Sequence, residues 1–250
     1  LTYCWEQMNS TGSATQPPVS TNTSGPMFRS LDDIISPSRY FPPLANIING
    51  TNNTWEVLPS VARTLNFRVT VRDYHTIAGC TDEDDVTVTV NGTAGPFNIT
   101  SFNTSDIWTE GQTKTVTWNV AGTTGNGINC ANVDILLSTD GGFTYPITLA
   151  TATANDGSHD ITVPGNITTT QGRIMVKGNG NIFFDINNAN ITIIPIIITF
   201  ELQLNANTGS VCNSDTFSTV LKINSLGGFN SPVTLSAINP IPGSQVIFTD

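Results

Sequence analysis

Few side chains in this chain could do chemistry, and their spacing is sparse. Two histidines, His75 and His159, stand far apart, and no HExxH, GxSxG, SxxK or Walker sequence occurs. Four features remain to be weighed. They are an acidic run, four scattered cysteines, four tryptophans, and the turn-like stretch STDGGFTYP from Ser138 to Pro146.

The acidic run is CTDEDD, Cys80 to Asp85. Hard cations such as Ca²⁺ take several carboxylate and carbonyl oxygens. Asp73, Asp82, Asp84 and Asp85 therefore form a candidate structural calcium set if a loop end gathers them. The competing reading is a solvated turn whose charges blunt an edge strand. Both histidines read as turn or strand-start residues in contact with water.

The stretch at Ser138 has the spacing Ser-x-Asp-x-Gly-x-Thr followed by an aromatic, the Asp-box pattern of sialidase-type propellers. A propeller repeats such a motif once per blade, and here there is one copy. Sialoside chemistry also wants an arginine cluster for the substrate carboxylate; the neighbourhood offers only Lys114, Arg173 and Lys177. Asp140-Gly141 favours a tight hairpin, Gly142 tolerates positive φ, and Ser138 and Asp140 can bond nearby amides while Tyr145 covers the turn. The reading is a structural turn at Ser138, Asp140, Gly142 and Tyr145, with no catalytic residue.

Cys4, Cys80, Cys130 and Cys212 form no CxxC pair, so a compact metal site is not indicated. Widely spaced cysteines in an all-β chain suggest disulfides in an oxidising compartment. Cys4 begins one strand and Cys80 lies just past the end of LNFRVTVRD. If those strands are antiparallel neighbours, with Cys4 pointing outward, a Cys4–Cys80 bridge is expected. For Cys130 and Cys212 a bridge and two free thiols both stay open. Trp5, Trp55 and Trp118 fall in alternating strand patterns and are expected in cores. Trp108, between NTSD and TEGQTKT, is the candidate surface ring for glycan stacking.

These residues sit in a strand-and-turn composition. Charged residues make up 11% of the 250, and Thr, Asn, Ser and Gly recur beside Val and Ile. The net charge of −10, with nine scattered Lys and Arg, argues against nucleic-acid binding. The most apolar window, ITIIPIIITF, is too short to span a membrane as a helix and is broken by Pro195. With no initiating Met, signal peptide or lipidation motif, the chain reads as an excerpt of a longer protein. Asn-x-Ser/Thr sequons, at Asn91 and Asn190 among others, follow from the composition and do not by themselves establish glycosylation.

The fold class expected is all-β, as tandem immunoglobulin-like or fibronectin-III-like sandwiches. Residues 1–93 supply LTYCWEQ, then a long Pro, Ser and Thr-rich stretch, then WEVLP, LNFRVTVRD and DDVTVTV. Phe67, Val69 and Val71 are expected to point inward. Residues 94–194 supply seven strands: FNITSF, KTVTWNV, NVDILLS, YPITLA, HDITVP, GRIMVKG and ANITII. Trp118 should be their core tryptophan. Residues 195–250 supply TFELQLN, TFSTVLKIN, SPVTLSA and QVIFTD, the start of a third sandwich.

LTYCWEQM, GPMFRSL, SPSRYFPPL, TWEVLPSVARTLNFRVTVRD and NCANVDILLSTDGGFTYPITLA resemble the non-catalytic region that follows the reprolysin-like zinc metallopeptidase domain in large secreted proteins of gliding Bacteroidetes. The likeness spans about residues 1–194. Residues 1–93 also resemble a polycystic-kidney-disease or cadherin-like module that lacks its first strands. The resemblance implies a secreted or cell-surface protein, exported by the type IX system. It implies a spacer or docking arm that binds a protein or glycan surface, as a monomer. The family's zinc motif, HExxHxxGxxH, has no counterpart here, so zinc is expected only in the peptidase domain and this chain is expected to be no enzyme. The alternative is a cell-surface adhesin or carbohydrate-binding stalk with no protease attached.

Overall fold

A computed structural model describes residues 1–10, 12, 16–212, 214–236, 238 and 245–248. Strand structure dominates, as the composition requires. Leu1–Pro195 forms one compact unit and Ile196–Asp250 a second.

The first sheet is antiparallel, in the order β1 (Thr2–Gln7), β2 (Arg63–Arg72), β3 (Thr81–Val90). Leu65 and Phe67 are buried on β2, while Val69 and Val71 beyond them are only half-buried. Their cover comes from the irregular stretch between β1 and β2, which packs Met27 and Phe28 onto them. Phe41 adds a ring 4.6 Å from that of Phe67.

Buried cations fasten this irregular chain, because loop carbonyls taken from water need donors. Arg63 donates to the carbonyls of Asn22 (2.8 Å) and Gly25 (2.6 Å). Arg39 donates to those of Trp5 (2.6 Å) and Arg29 (2.9 Å) and pairs with the carboxylate of Glu56. Its guanidinium lies 4.4 Å from the centre of the Phe41 ring. WEVLP, expected as a strand, is a turn that delivers Glu56 to this pair.

One short helix, α1 (Leu44–Asn49), departs from the all-strand expectation. It starts after Pro43, which is pre-set for a helix entry, and stops at Gly50 in the left-handed region at φ 60°. Ile48 is its buried residue.

The middle of the chain is a two-layer sandwich. In chain order its strands are β4 (Asn98–Ile99), β5 (Asp106–Thr109), β6 (Thr113–Asn119), β7 (Asn132–Ser138), β8 (Ile147–Ala154), β9 (Ser158–Thr162), β10 (Thr169–Gly178), β11 (Phe184–Ile186) and β12 (Ile191–Ile194). One layer is ordered β4-β6-β9; the other is β5-β12-β10-β7-β8, with β11 also pairing β10. Pairing is antiparallel except between β5 and β12, which run parallel. Alternate residues of both layers meet in one core, including Val116 and Trp118 of β6, Val133, Ile135 and Leu137 of β7, and Ile174 and Val176 of β10. Each of the seven expected segments contains a strand; β5 and β11 are additional.

The boundary expected near Thr93 separates two sheets but not two compact units. Ile48 of α1 packs with Met175 and Ile186 of the sandwich in a shared apolar cluster. The Tyr40 and Phe184 rings meet edge to face with centroids 5.5 Å apart. At the crossing itself, the Asn91 carboxamide oxygen accepts from the N–H groups of Thr93 (2.7 Å) and Ala94 (3.1 Å).

In the second unit, β13 (Thr199–Leu204) and β14 (Leu221–Leu226) form an antiparallel pair. Of the four strands expected there, these two are formed, and residues 231–236 and 245–248 are not in strands. Ala237, Thr249 and Asp250 lie outside the described residues.

Candidate functional site

The Asp-box stretch is a closed knot of local hydrogen bonds between β7 and β8. Ser138, fully buried at the end of β7, uses its hydroxyl in three ways. Its Oγ donates to Asp140 Oδ1 (2.6 Å) and accepts from the N–H groups of Asp140 (3.2 Å) and Gly142 (2.9 Å). Asp140 Oδ1 also accepts from the N–H groups of Phe143 and Thr144, both at 3.0 Å, and Oδ2 accepts from Thr144 Oγ1 at 2.6 Å. Gly141 and Gly142 take φ of 85° and 103°, which L side chains rarely adopt.

That wiring decides the chemistry. Burial raises the Asp140 carboxyl's pKa, but the hydrogen bonds from Ser138, Thr144 and Phe143 outweigh it and hold the pKa well below the usual carboxylate range. An anion whose oxygens are all committed to its own turn is a poor general acid and a poor nucleophile. Tyr145 packs in the apolar cluster with Ile48, and burial pushes its phenol well above the usual range. The motif works as a structural turn that also seats α1.

Trp108 overturns its expectation. It is fully buried in the sandwich core, edge to face with Phe102 at 4.9 Å, so no sugar can stack on it in the folded chain. Its indole N–H donates to Asp106 Oδ2 (2.9 Å), which also accepts from Lys114 Nζ (2.9 Å). The sequence hid this because β5 is only four residues long and its parallel partner β12 lies far along the chain. Trp118 is buried as expected, Trp5 is half-buried, and Trp55 is 44% exposed in a turn instead of in a core.

The cysteines are all free thiols, so the expected Cys4–Cys80 bridge is not formed. Cys4 lies opposite Thr70 and is buried, with its thiol 3.4 Å from the carbonyl of Leu31. Cys80 is exposed and immediately precedes β3, on the far side of β2. Two strand spacings put the chains about 10 Å apart, beyond the Cα separation of about 7 Å that a disulfide tolerates. β1 and β2 are antiparallel neighbours as expected, but the chain after β2 returns on the side away from β1. Cys130 is buried and burial pushes its thiol up, while Cys212 is exposed.

Asp82, Asp84 and Asp85 are on a strand, and only Asp73 of the four candidates is in a turn. Asp82 and Asp84 occupy one face of β3, Asp85 the other, where Arg68 pairs with it at 2.7 Å. Asp73 closes the turn before β3, its Oδ1 accepting from the N–H groups of Cys80 (2.7 Å) and His75 (3.3 Å). Among the described residues no group of three or more His, Cys, Asp or Glu is placed to hold a metal. The Asp82 and Asp84 carboxylates instead accept from the N–H groups of Glu83 (3.0 Å) and Asp85 (2.9 Å). That arrangement caps amides of an edge strand and blunts it against pairing. His75 is exposed, and His159 Nδ1 bonds Thr153 Oγ1 at 2.7 Å.

Sequence reasoning missed the buried polar amides that hold the sandwich ends. Asn155 accepts from Trp118 Nε1 (2.9 Å) and donates to Thr123 Oγ1 (2.9 Å) and the Cys130 carbonyl (3.0 Å). Asn187 accepts from the Ile174 N–H (2.7 Å) and donates to the carbonyls of Phe102 and Ala189. In so Asn-rich a chain nothing in the residue type marks these two out.

What the geometry defines is an all-β protein of sandwich character. No protein-family model matches the chain, and no curated protein matches it either.

Proposed function

We propose that this chain is a non-catalytic accessory arm of a secreted zinc metallopeptidase, built from immunoglobulin-like and fibronectin-III-like modules. The arm spaces the peptidase domain and docks it on an extracellular protein or glycan surface. The layer orders β4-β6-β9 and β5-β12-β10-β7-β8, with edge strand β5 parallel to the last strand, support the immunoglobulin-like reading.

The observation that carries the arm is mechanical. Ile48 of the first segment is buried in one cluster with Met175 and Ile186 of the sandwich, so the two segments share core and belong to one compact unit. Segments that share core transmit a docking geometry to whatever is attached to them, which a flexible linker does not.

The test begins with the reading frame on both sides of the Leu1 and Asp250 codons. An HExxHxxGxxH segment upstream in frame supports the reading. Sandwich repeats alone on both sides overturn it in favour of an adhesin. With the peptidase in hand, deleting the arm is expected to slow cleavage of surface-bound protein while leaving cleavage of a short peptide unchanged.

A further inference from the structure

The apolar face of the first sheet continues past its cover. Leu65 and Phe67 are sealed under Met27 and Phe28. Toward the start of β1, two cross-strand rows are only partly covered: Trp5–Val69–Asp84 and Tyr3–Val71–Asp82, whose aromatics and valines are half-buried while the aspartates are exposed. Directly opposed residues of antiparallel strands share a face, so each row sets an aromatic, a valine and a carboxylate side by side. Ile34 extends the second row through an antiparallel bridge to Tyr3. Beside these rows Tyr3, Trp5, Leu31, Asp32, Ile34 and Arg39 line a cleft of about 110 Å³.

Charge on this face is one-sided. Arg68, which pairs with Glu83 and Asp85, belongs to the opposite face. Among the described residues, Asp82 and Asp84 have only the backbone N–H groups of Glu83 and Asp85 as partners. Asp32 forms no hydrogen bond or ion pair among the described residues. The one cation in the cleft wall, Arg39, is already neutralised by Glu56. The Ile34 segment and β3 lie three strand spacings apart, so carboxylates stand on both sides of an apolar strip about 14 Å wide.

We propose that this face docks a basic, apolar segment of a protein partner. Aliphatic side chains lie over Val69 and Val71 and enter the cleft beside Trp5, and Lys or Arg side chains meet Asp82 and Asp84 on one rim and Asp32 on the other. The proposal rests on the docking reading of the arm and names its partner chemistry. Side-chain docking fits better than strand addition, because the amides of Glu83 and Asp85 on the edge strand are already occupied. A second copy of this chain is a poor occupant, since its nine Lys and Arg stand against 19 Asp and Glu.

The test uses the whole chain and three synthetic heptapeptides: Lys and Leu alternating, Lys and Ser alternating, and Glu and Leu alternating. Binding is followed by Trp fluorescence and by amide chemical shifts at about 0.1 M salt. The Lys/Leu peptide is expected to bind, with shifts centred on Tyr3, Trp5, Val69 and Val71, and the other two to bind at least about tenfold more weakly. The double variant Asp82→Asn/Asp84→Asn should weaken the Lys/Leu peptide about tenfold, whereas Glu83→Gln/Asp85→Asn on the opposite face should not, with thermal melts confirming that both fold. Absence of Lys/Leu binding overturns the site, as does equal weakening by the two double variants. An arm that still docks its peptidase on a protein surface after Asp82→Asn/Asp84→Asn also overturns the site while leaving the arm intact. A reading frame without a peptidase overturns the arm and does not alter peptide binding.

Discussion

Ile48 of α1 sits directly over Gly142 of the Asp-box turn. A Cβ built on Gly142 would lie 3.1 Å from Ile48 Cγ1 and 3.1 Å from the Tyr145 hydroxyl. The turn therefore has two tasks, closing the β7–β8 connection and leaving room for a helix that arrives from the first segment. Gly142→Ala meets both the crowding and a φ of 103°. It is expected to cost about 1–3 kcal/mol, read as a lower melting temperature, with the 1–93 region losing protection from hydrogen exchange first.

Asp140 gives the turn a pH dependence. Its folded pKa is depressed, net of burial, by the bonds from Ser138, Thr144 and Phe143. The stability it contributes is therefore full above the unfolded carboxyl value of about 3.9 and is lost as pH falls below it toward the folded value. Wild type and Asp140→Ala should differ most in melting temperature at pH 7 and converge in strongly acidic buffer. A constant difference across pH would rule out the carboxylate as the source.

The Arg39–Glu56 pair fastens the irregular stretch to the first sheet. Glu56 is 2% exposed, and burial pushes its carboxyl up against the opposing pull of Arg39. Arg39→Met leaves that carboxylate buried without a cation and is expected to cost about 3–5 kcal/mol at pH 7. A raised folded pKa means that the charged form is the penalised one. The cost should shrink as pH falls through the Glu56 value, and Arg39→Met/Glu56→Gln should recover part of it at pH 7.

Trp108→Ala removes a fully buried indole and the bond it donates to Asp106, which keeps Lys114 and the Ile107 N–H as partners. A loss of about 3–5 kcal/mol is expected. Retention of the wild-type chain on an insoluble polysaccharide that disappears in a still-folded Trp108→Ala variant would contradict the buried placement.

Thiol reactivity reads out the cysteine assignment. Cys80 and Cys212 are exposed, while Cys4 and Cys130 are buried. In the native chain two thiols should react quickly with an aromatic disulfide reagent, and four after unfolding without reductant. Two fewer after unfolding would restore the bridge.

Much of the scaffold was legible in the residues because strand period and turn chemistry are local properties. NVDILLS alternates, and Val133, Ile135 and Leu137 are all buried. The Asp-box turn was legible for the same reason, since its donors and acceptors lie within seven residues of one another. Local pattern failed where a residue's environment comes from a distant segment. Trp108 is covered through β12 and Phe102, Cys4 by Leu31, and WEVLP bends so that Glu56 reaches Arg39.

By itself the sequence determined a chain dominated by strands, seven of the nine strands of the sandwich, the structural character of the turn at Ser138, and a surface short of cations. The tertiary structure decided which side of β2 each neighbour takes, and with it the separation of Cys4 from Cys80. It also decided that residues 1–93 and the sandwich form one compact unit, and that Asp82 and Asp84 flank an apolar strip while Asp85 meets Arg68. The division has a physical cause. Side-chain alternation and turn geometry are set by neighbours a few bonds away, whereas sheet order and burial are set by contacts between segments that meet only when the chain has folded.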